Sequence, residues 1–282
     1  MSETVTIARL SPQGGAEVRG IDLRRKPDAA AAARLYRAFL DHAVLVVRDQ
    51  HLAPAEMLVA IRAWGEIFPQ HNPRFALPDC PEIHYISNQD SYPDGRRYIP
   101  GEGYHTDHSN AAIPPKATVL HAVKLPDRGG DTQFVNMTQA LAALDSALRA
   151  RIENLVAVHV YQSRHSERKL MGLTATAQQA VPDAVRHPLV RRHPETGQAS
   201  LYINPIRIEA IEGMAEADAL ALLDALLAHA TRPEFEYRHV WRAGDLVMWD
   251  NRCLLHKANG DYDMDQERYL YRAMLREGPP GP

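Results

Sequence analysis

The sequence predicts a mainly β fold with flanking helices, an antiparallel barrel or jelly roll with its helices packed on the outside. Three observations lead there. Short runs of β-branched and aromatic residues recur along the chain, bounded by clusters of Gly, Pro, Asn or Asp. The few stretches with helical spacing fall between them irregularly, whereas a doubly wound sheet would alternate strand and helix. No Gly-rich nucleotide loop is present.

Residues 5–10 and 16–21 read as two short strands broken by Ser11-Pro12-Gln13-Gly14-Gly15, an opening hairpin. Asp28 then precedes an Ala-rich stretch in which Ala32, Leu35, Tyr36, Phe39 and Leu40 share helical spacing, opposite Arg34, Arg37 and Asp41. Residues 43–47 are apolar, branched and uninterrupted, which suits a strand covered on both faces. Pro54 suits a first helical turn, and Met57, Leu58, Ile61, Trp64 and Ile67 carry the period onward. A second helix is therefore expected to about Glu66, frayed by Gly65. From 68 to 103, prolines and glycines crowd around one strand-like island at 83–86. A long irregular segment in a compact domain is commonly functional or mobile, and this one reads as a lid.

Residues 117–123 and 133–135 form the next strands, joined through a turn at 125–132. Helical spacing returns over 138–148 and again through Ile152, with Asp145 placed to cap the second piece. Residues 156–161 read as extended. The stretch 162–184 is polar, and its basic cluster of Arg164, His165, Arg168 and Lys169 reads as a solvated face or mobile loop. Residues 185–192 and 200–203 flank a hairpin-like insertion at 193–197. The strongest helical pattern covers 215–230, with Leu220, Leu223, Leu226 and Leu227 at core spacing. Residues 235–241 and 246–256 read as strands around a turn, and a last strand begins near Arg268. No repeat or composition break interrupts the chain, so residues 1–282 read as a single domain.

Composition narrows the function. A net charge of -3 and a pI near 6.5 provide no basic field, which argues against nucleic-acid or anionic-membrane partners. Cys80 and Cys253 are isolated in sequence, so no disulfide framework is expected and a reducing cytoplasm fits. The first residues lack a signal-peptide pattern, and no apolar run reaches the length of a membrane span.

The chemistry concentrates at Gly103-Tyr104-His105-Thr106-Asp107-His108. In an extended backbone His105 and Asp107, two apart, leave on one face. With the remote His256 they make two imidazoles and one carboxylate, the facial set that binds Fe(II) and leaves its other side open. A lone His-x-Asp arises about once by chance in a chain of this composition, so its company matters. That company is Arg268 and Arg272, which share a face of the last strand. A guanidinium matches a carboxylate through two parallel hydrogen bonds, so one of them could anchor a dicarboxylate beside the metal.

An ordered set of features extends this pattern over nearly the whole chain: Trp64-Gly65-Glu66, Tyr104-His105-Thr106-Asp107, Pro114-Pro115, Gly129-Gly130-Asp131-Thr132, Gly244-Asp245, Trp249-Asp250-Asn251-Arg252, His256, Asp261-Tyr262, Arg268 and Arg272. In these residues the sequence resembles the Fe(II)- and 2-oxoglutarate-dependent dioxygenases of the taurine dioxygenase and 2,4-dichlorophenoxyacetate dioxygenase group. The resemblance implies a double-stranded β-helix core, iron ligation by His105, Asp107 and His256, and a distal 2-oxoglutarate carboxylate held by Arg268 and Thr132. It places Arg272 near the other end of 2-oxoglutarate and near the substrate, with His71 and His108 lining the substrate pocket. The implied reaction hydroxylates a small anionic organic substrate (a sulfonate, aryloxyacid, sulfate ester or amino-acid derivative), consumes O2 and 2-oxoglutarate, and releases succinate and CO2. The carboxylate at Asp107 argues against halogenation, a chemistry of family members that lack it. Relatives of this kind form homodimers or homotetramers.

Three other readings compete. A desaturating or cyclising member of the same family would carry the same ligands. A metal hydrolase would use His and Asp for zinc, but would leave Arg268 and Arg272 unexplained. A non-catalytic jelly-roll metal- or ligand-binding module would not need the intact ligand set together with both arginines.

Overall fold

The computed structural model describes residues 5–70, 72–92 and 94–278. Among these residues, eight strands form a large sheet in the spatial order Thr6–Ser11, Gly14–Arg19, Val44–Val47, Leu246–Asp250, Ala117–Lys124, Tyr269–Leu275, Cys80–Ser87, Ala76–Leu77. A smaller sheet of Glu236–His239, Thr132–Asn136 and Leu254–Ala258 packs on one of its faces. The pairing within the two sheets is antiparallel, except between Gly14–Arg19 and Val44–Val47.

Alternation along the strands decides what each face of the large sheet meets. Val44, Val46, Val247, Trp249 and Leu270 turn toward the small sheet and pack with its Phe134 and Leu254. Leu45, Val47, Leu246, Met248, Val119 and Ala273 turn the other way, onto Leu35 and Phe39 of the helix Ala29–His42 and Met57 and Ile61 of the helix Pro54–Ile61. Burial on both sides is why Val44–Val47 and the start of Leu246–Asp250 read as unbroken apolar runs. Asp28 starts the first helix by accepting from the Ala31 N–H at 2.8 Å, and Asp145 caps Ser146–Ile152 in the same way. Beneath the small sheet lies a further core, where Val135 and Leu255 meet the helix Glu216–Ala230. That helix buries Ala219, Leu222, Leu226 and Ala230. The expected stripe is thus rotated, because adjacent leucines offer two overlapping stripes and packing selects one. Among the described residues no helix is long and apolar enough to cross a membrane.

Three expectations are corrected. The second helix ends at Ile61 and continues as a single tight turn, Arg62–Trp64, which seats the buried Trp64 with its indole N–H on the Ala32 carbonyl at 3.2 Å. The 68–103 segment is not one lid. Its middle, Cys80–Ser87, is an eight-residue strand paired with Tyr269–Leu275 in the large sheet, and the irregular portions lie on either side. Residues 246–256 are two strands, not one: the chain leaves the large sheet after Asp250 and enters the small sheet at Leu254.

A buried polar knot holds that crossing. One oxygen of Asp250 accepts from the Arg252 N–H at 2.9 Å, and the carboxylate takes the Arg252 guanidinium through Nε at 2.8 Å and Nη2 at 2.6 Å. Arg252 Nη1 reaches Glu195 at 2.6 Å, and His193 Nε2 donates to Asp250 at 3.0 Å. His193, Asp250 and Cys253 lie close enough to share a cation. However, Arg252 already neutralises Asp250, and His193 Nδ1 accepts from the Glu195 and Thr196 N–H groups, so the cluster is a structural tie. Removing one partner strands a buried charge, and Arg252→Met is expected to lower the unfolding free energy by about 3–5 kcal/mol. The denaturant midpoint of the purified variant measures this, and an unmoved midpoint would show that the knot carries no stability.

Candidate metal centre and its cavity

His105 and His256 are brought together by backbone pairing across more than half the chain. They form an isolated antiparallel bridge, with the His105 N–H on the His256 carbonyl at 2.9 Å and the His256 N–H on the His105 carbonyl at 2.8 Å. Asp107 follows where the chain turns, so it reaches the same point from a turn instead of from a continuing strand. Its carboxylate lies 3.7 Å from His105 Nε2 and 3.8 Å from His256 Nε2. One ligating atom from each of the three residues fits within 4.8 Å of the others.

Neighbouring groups fix the orientation of each side chain. His105 Nδ1 lies 2.8 Å from the Gly103 carbonyl, which can only accept, so Nδ1 carries the proton and Nε2 presents its lone pair. The His256 ring is held by Trp249, with ring centroids 4.6 Å apart. Asp107 Oδ2 accepts from the Thr118 hydroxyl at 2.5 Å, Thr118 accepts from Asn251 Nδ2 at 2.9 Å, and Asn251 Oδ1 accepts from the Trp249 indole at 3.1 Å. Asn204 Nδ2 ties the Thr106 carbonyl and Ser109 Oγ, at 2.8 and 2.9 Å, which secures the turn from behind.

The protonation states follow from burial and charge. Burial and the adjacent His256 push His105 well below the usual imidazole range, and burial lowers His256 to about 4. Burial works to raise Asp107, but the nearby histidines outweigh it and hold the carboxyl well below its ordinary value. At neutral pH the cluster is two neutral imidazoles and one carboxylate, deprotonated as metal ligands must be. The donor set fits a mononuclear Fe(II) bound on one side only.

The cluster opens on a cavity that also receives Arg268, Thr132, Arg272 and His108. Arg268 is 4 % exposed, donates Nε to the Gly130 carbonyl at 3.1 Å, and has no carboxylate partner among the described residues. Burial draws it down to about 10, still cationic at neutral pH. Thr132 Oγ1 beside it accepts from the Trp241 indole at 3.0 Å. Arg272 donates Nε to Gln70 at 2.7 Å. His108 is buried at a φ of 47°, with its ring 5.6 Å from Phe68. His71 lies outside the described residues.

Sequence reasoning missed several cavity and supporting groups. Thr118 sits inside an apolar strand, and only its inward register marks it. Arg207 interrupts the apolar run around Ile203, Ile206 and Ile208, a signal that a charge there is buried for a purpose. It is 8 % exposed and donates to the Tyr161 carbonyl at 2.8 Å. Arg168, expected on a solvated face or mobile loop, lines the cavity from a loop.

Two imidazoles and one carboxylate opening on an arginine-lined cavity, carried by facing, mainly antiparallel sheets of a jelly roll, are the donor set and the setting that a non-haem iron oxygenase requires. Residues 6–274 match the model of the family described as "Taurine catabolism dioxygenase TauD, TfdA family", and the chain belongs to that family. It is 35% identical to the (S)-phenoxypropionate/alpha-ketoglutarate-dioxygenase of Sphingobium herbicidovorans, covering 99% of this chain and 97% of the relative. It is 34% identical to the alpha-ketoglutarate-dependent 2,4-dichlorophenoxyacetate dioxygenase of Cupriavidus pinatubonensis, covering 94% and 95%. The crystal structure of a taurine dioxygenase from Burkholderia xenovorans superposes with a TM-score of 0.81 at 35% identity, covering 99% of this chain and 93% of that one. The protein is a 2-oxoglutarate-dependent dioxygenase (alpha-ketoglutarate being the same compound), with Fe(II) as cofactor and 2-oxoglutarate and O2 as co-substrates.

Proposed function

We propose that this dioxygenase holds Fe(II) with His105, Asp107 and His256, receives the distal carboxylate of 2-oxoglutarate on Arg268 and Thr132, and hydroxylates a small organic anion. The observation that carries the reading is Arg268: a buried cation without a carboxylate partner among the described residues, lining the same cavity as the ligand cluster. A buried guanidinium in that state is costly until an anion meets it. Bound Fe(II) with 2-oxoglutarate supplies the oxidising chemistry, in which decarboxylation to succinate and CO2 is coupled to transfer of one oxygen atom from O2 into a substrate C–H bond. The chain's own residues bind and orient. Thr118 and Asn251 aim the Asp107 carboxylate, Gly103 sets the His105 tautomer, and Trp249 fixes the His256 ring. Arg272 and His108 line the same cavity, and its several arginines favour a carboxylate or another oxyanion as substrate. Relatives named for phenoxypropionate and dichlorophenoxyacetate support an aryloxyacid-like anion as the substrate class.

Anaerobic addition of Fe(II) and 2-oxoglutarate to the purified protein is expected to produce a weak visible metal-to-ligand charge-transfer band. His105→Ala should remove it. A folded wild-type protein that binds both and shows no band would overturn the reading.

A further inference from the structure

Arg168 is the cavity group that the iron and 2-oxoglutarate sites leave without a task. It comes from the loop at 160–174, and its position is built. The Arg168 carbonyl accepts from Gln162 Nε2 at 3.1 Å and Ser166 Oγ at 2.9 Å, while Gln162 Oε1 accepts from the Leu170 N–H at 2.7 Å. The side chain passes over Gly103, where an added Cβ would lie 3.8 Å from Arg168 Cδ. Its Nε and Nη1 are shut off from solvent and have no hydrogen-bond partner among the described residues. Each of the other cavity arginines makes at least one side-chain hydrogen bond, Arg207 with the Tyr161 carbonyl, Arg268 with the Gly130 carbonyl and Arg272 with Gln70, whereas Arg168 makes none through Nε or Nη1. Nor does either acid of the lining pair with Arg168, since Asp90 takes the Tyr85 hydroxyl and Asp107 takes Thr118. Arg168 as a whole is half-buried, but two of its three guanidinium nitrogens are enclosed without an acceptor, and that favours an anion beside them. Around it, Phe75, Leu170, Met171 and Leu173 give the cavity an apolar wall.

We propose that Arg168 receives the anionic head of the substrate and that this apolar wall receives its body, so that the oxidised carbon lies between Arg168 and the His105, Asp107 and His256 cluster. The assignment rests on the dioxygenase reading for what happens to that carbon, but not for the binding itself. It also separates the two anions of the reaction: 2-oxoglutarate belongs to Arg268 at the end of the cavity beside Thr132, and the substrate belongs to the loop.

The test uses 2-phenoxypropionate and hexyl sulfate against their neutral analogues, 2-phenoxypropionamide and hexanol. Affinities are measured by calorimetry on the full chain with saturating 2-oxoglutarate, with and without Fe(II) under anaerobic conditions. Wild type is expected to prefer at least one anion over its neutral analogue by about tenfold or more. Arg168→Gln should erase that preference while retaining the affinity for the neutral analogue, and Arg168→Lys should restore part of it. Arg164→Gln, an exposed neighbour paired with Glu209 and Glu216, should behave as wild type. Wild type without anion preference, or Arg168→Gln with the preference intact, overturns the proposal. So does loss of the preference together with the charge-transfer band in Arg168→Gln, which would mark a structural role. A band absent from wild type beside an Arg168-dependent anion preference would instead count against the dioxygenase reading alone.

Discussion

Succinate formation is expected to fall to background in an Asp107→Ala variant and by roughly 10–100-fold in Thr118→Val. The two changes remove successive layers of one arrangement. Asp107 is the only anion among the three candidate ligands, and without it two neutral imidazoles would face a dication with no charge to offset it. Thr118→Val keeps the shape of a buried side chain but deletes the hydroxyl that holds Asp107 Oδ2 at 2.5 Å. It also deprives Asn251 Nδ2 of its acceptor, so the freed carboxylate loses the second link of its support as well. The measurement is Fe(II) affinity by anaerobic competition with a chelator, alongside succinate release. Wild-type affinity in Thr118→Val would show that the carboxylate needs no orienting partner.

The residues that sequence alone revealed are those whose chemistry is unusual for their place. His105, Asp107 and His256 stood out as a ligand set, yet the geometry that joins them differs from the extended segment that the spacing suggests. The convergence comes from the His105–His256 bridge and a turn at Asp107, and pairing across such a sequence distance leaves no local trace. The centre of the large sheet was legible because its strands there are apolar on both faces, as at Val44–Val47. The break after Asp250 was not, since residues 246–256 keep a strand-like pattern through the crossing and the knot depends on His193 and Glu195 from a distant hairpin. Arg168 shows the limit most clearly. Within its own cluster it is indistinguishable from Arg164, and only the folded loop turns one into the cavity and leaves the other in solvent.

For Arg268→Leu, the KM for 2-oxoglutarate is expected to rise by about 30-fold or more, the consequence of losing roughly 2 kcal/mol or more when one partner of a buried charge pair is truncated. Arg268→Lys should recover only part, because an ammonium cannot present two parallel donors to a carboxylate. Fe(II) affinity should stay close to wild type, since Arg268 bonds Gly130 and none of the three metal-site residues. The unliganded protein supplies the decisive contrast. Here Arg268 is buried without a carboxylate partner among the described residues, so leucine removes a desolvated cation and should leave the melting temperature unchanged or higher. A residue kept for stability would give the opposite sign, a lower melting temperature with 2-oxoglutarate binding intact. Added 2-oxoglutarate should then stabilise wild type through mass action but fail to stabilise Arg268→Leu at the same concentration. An equal thermal shift in both proteins would remove Arg268 from the 2-oxoglutarate site and leave its burial unexplained.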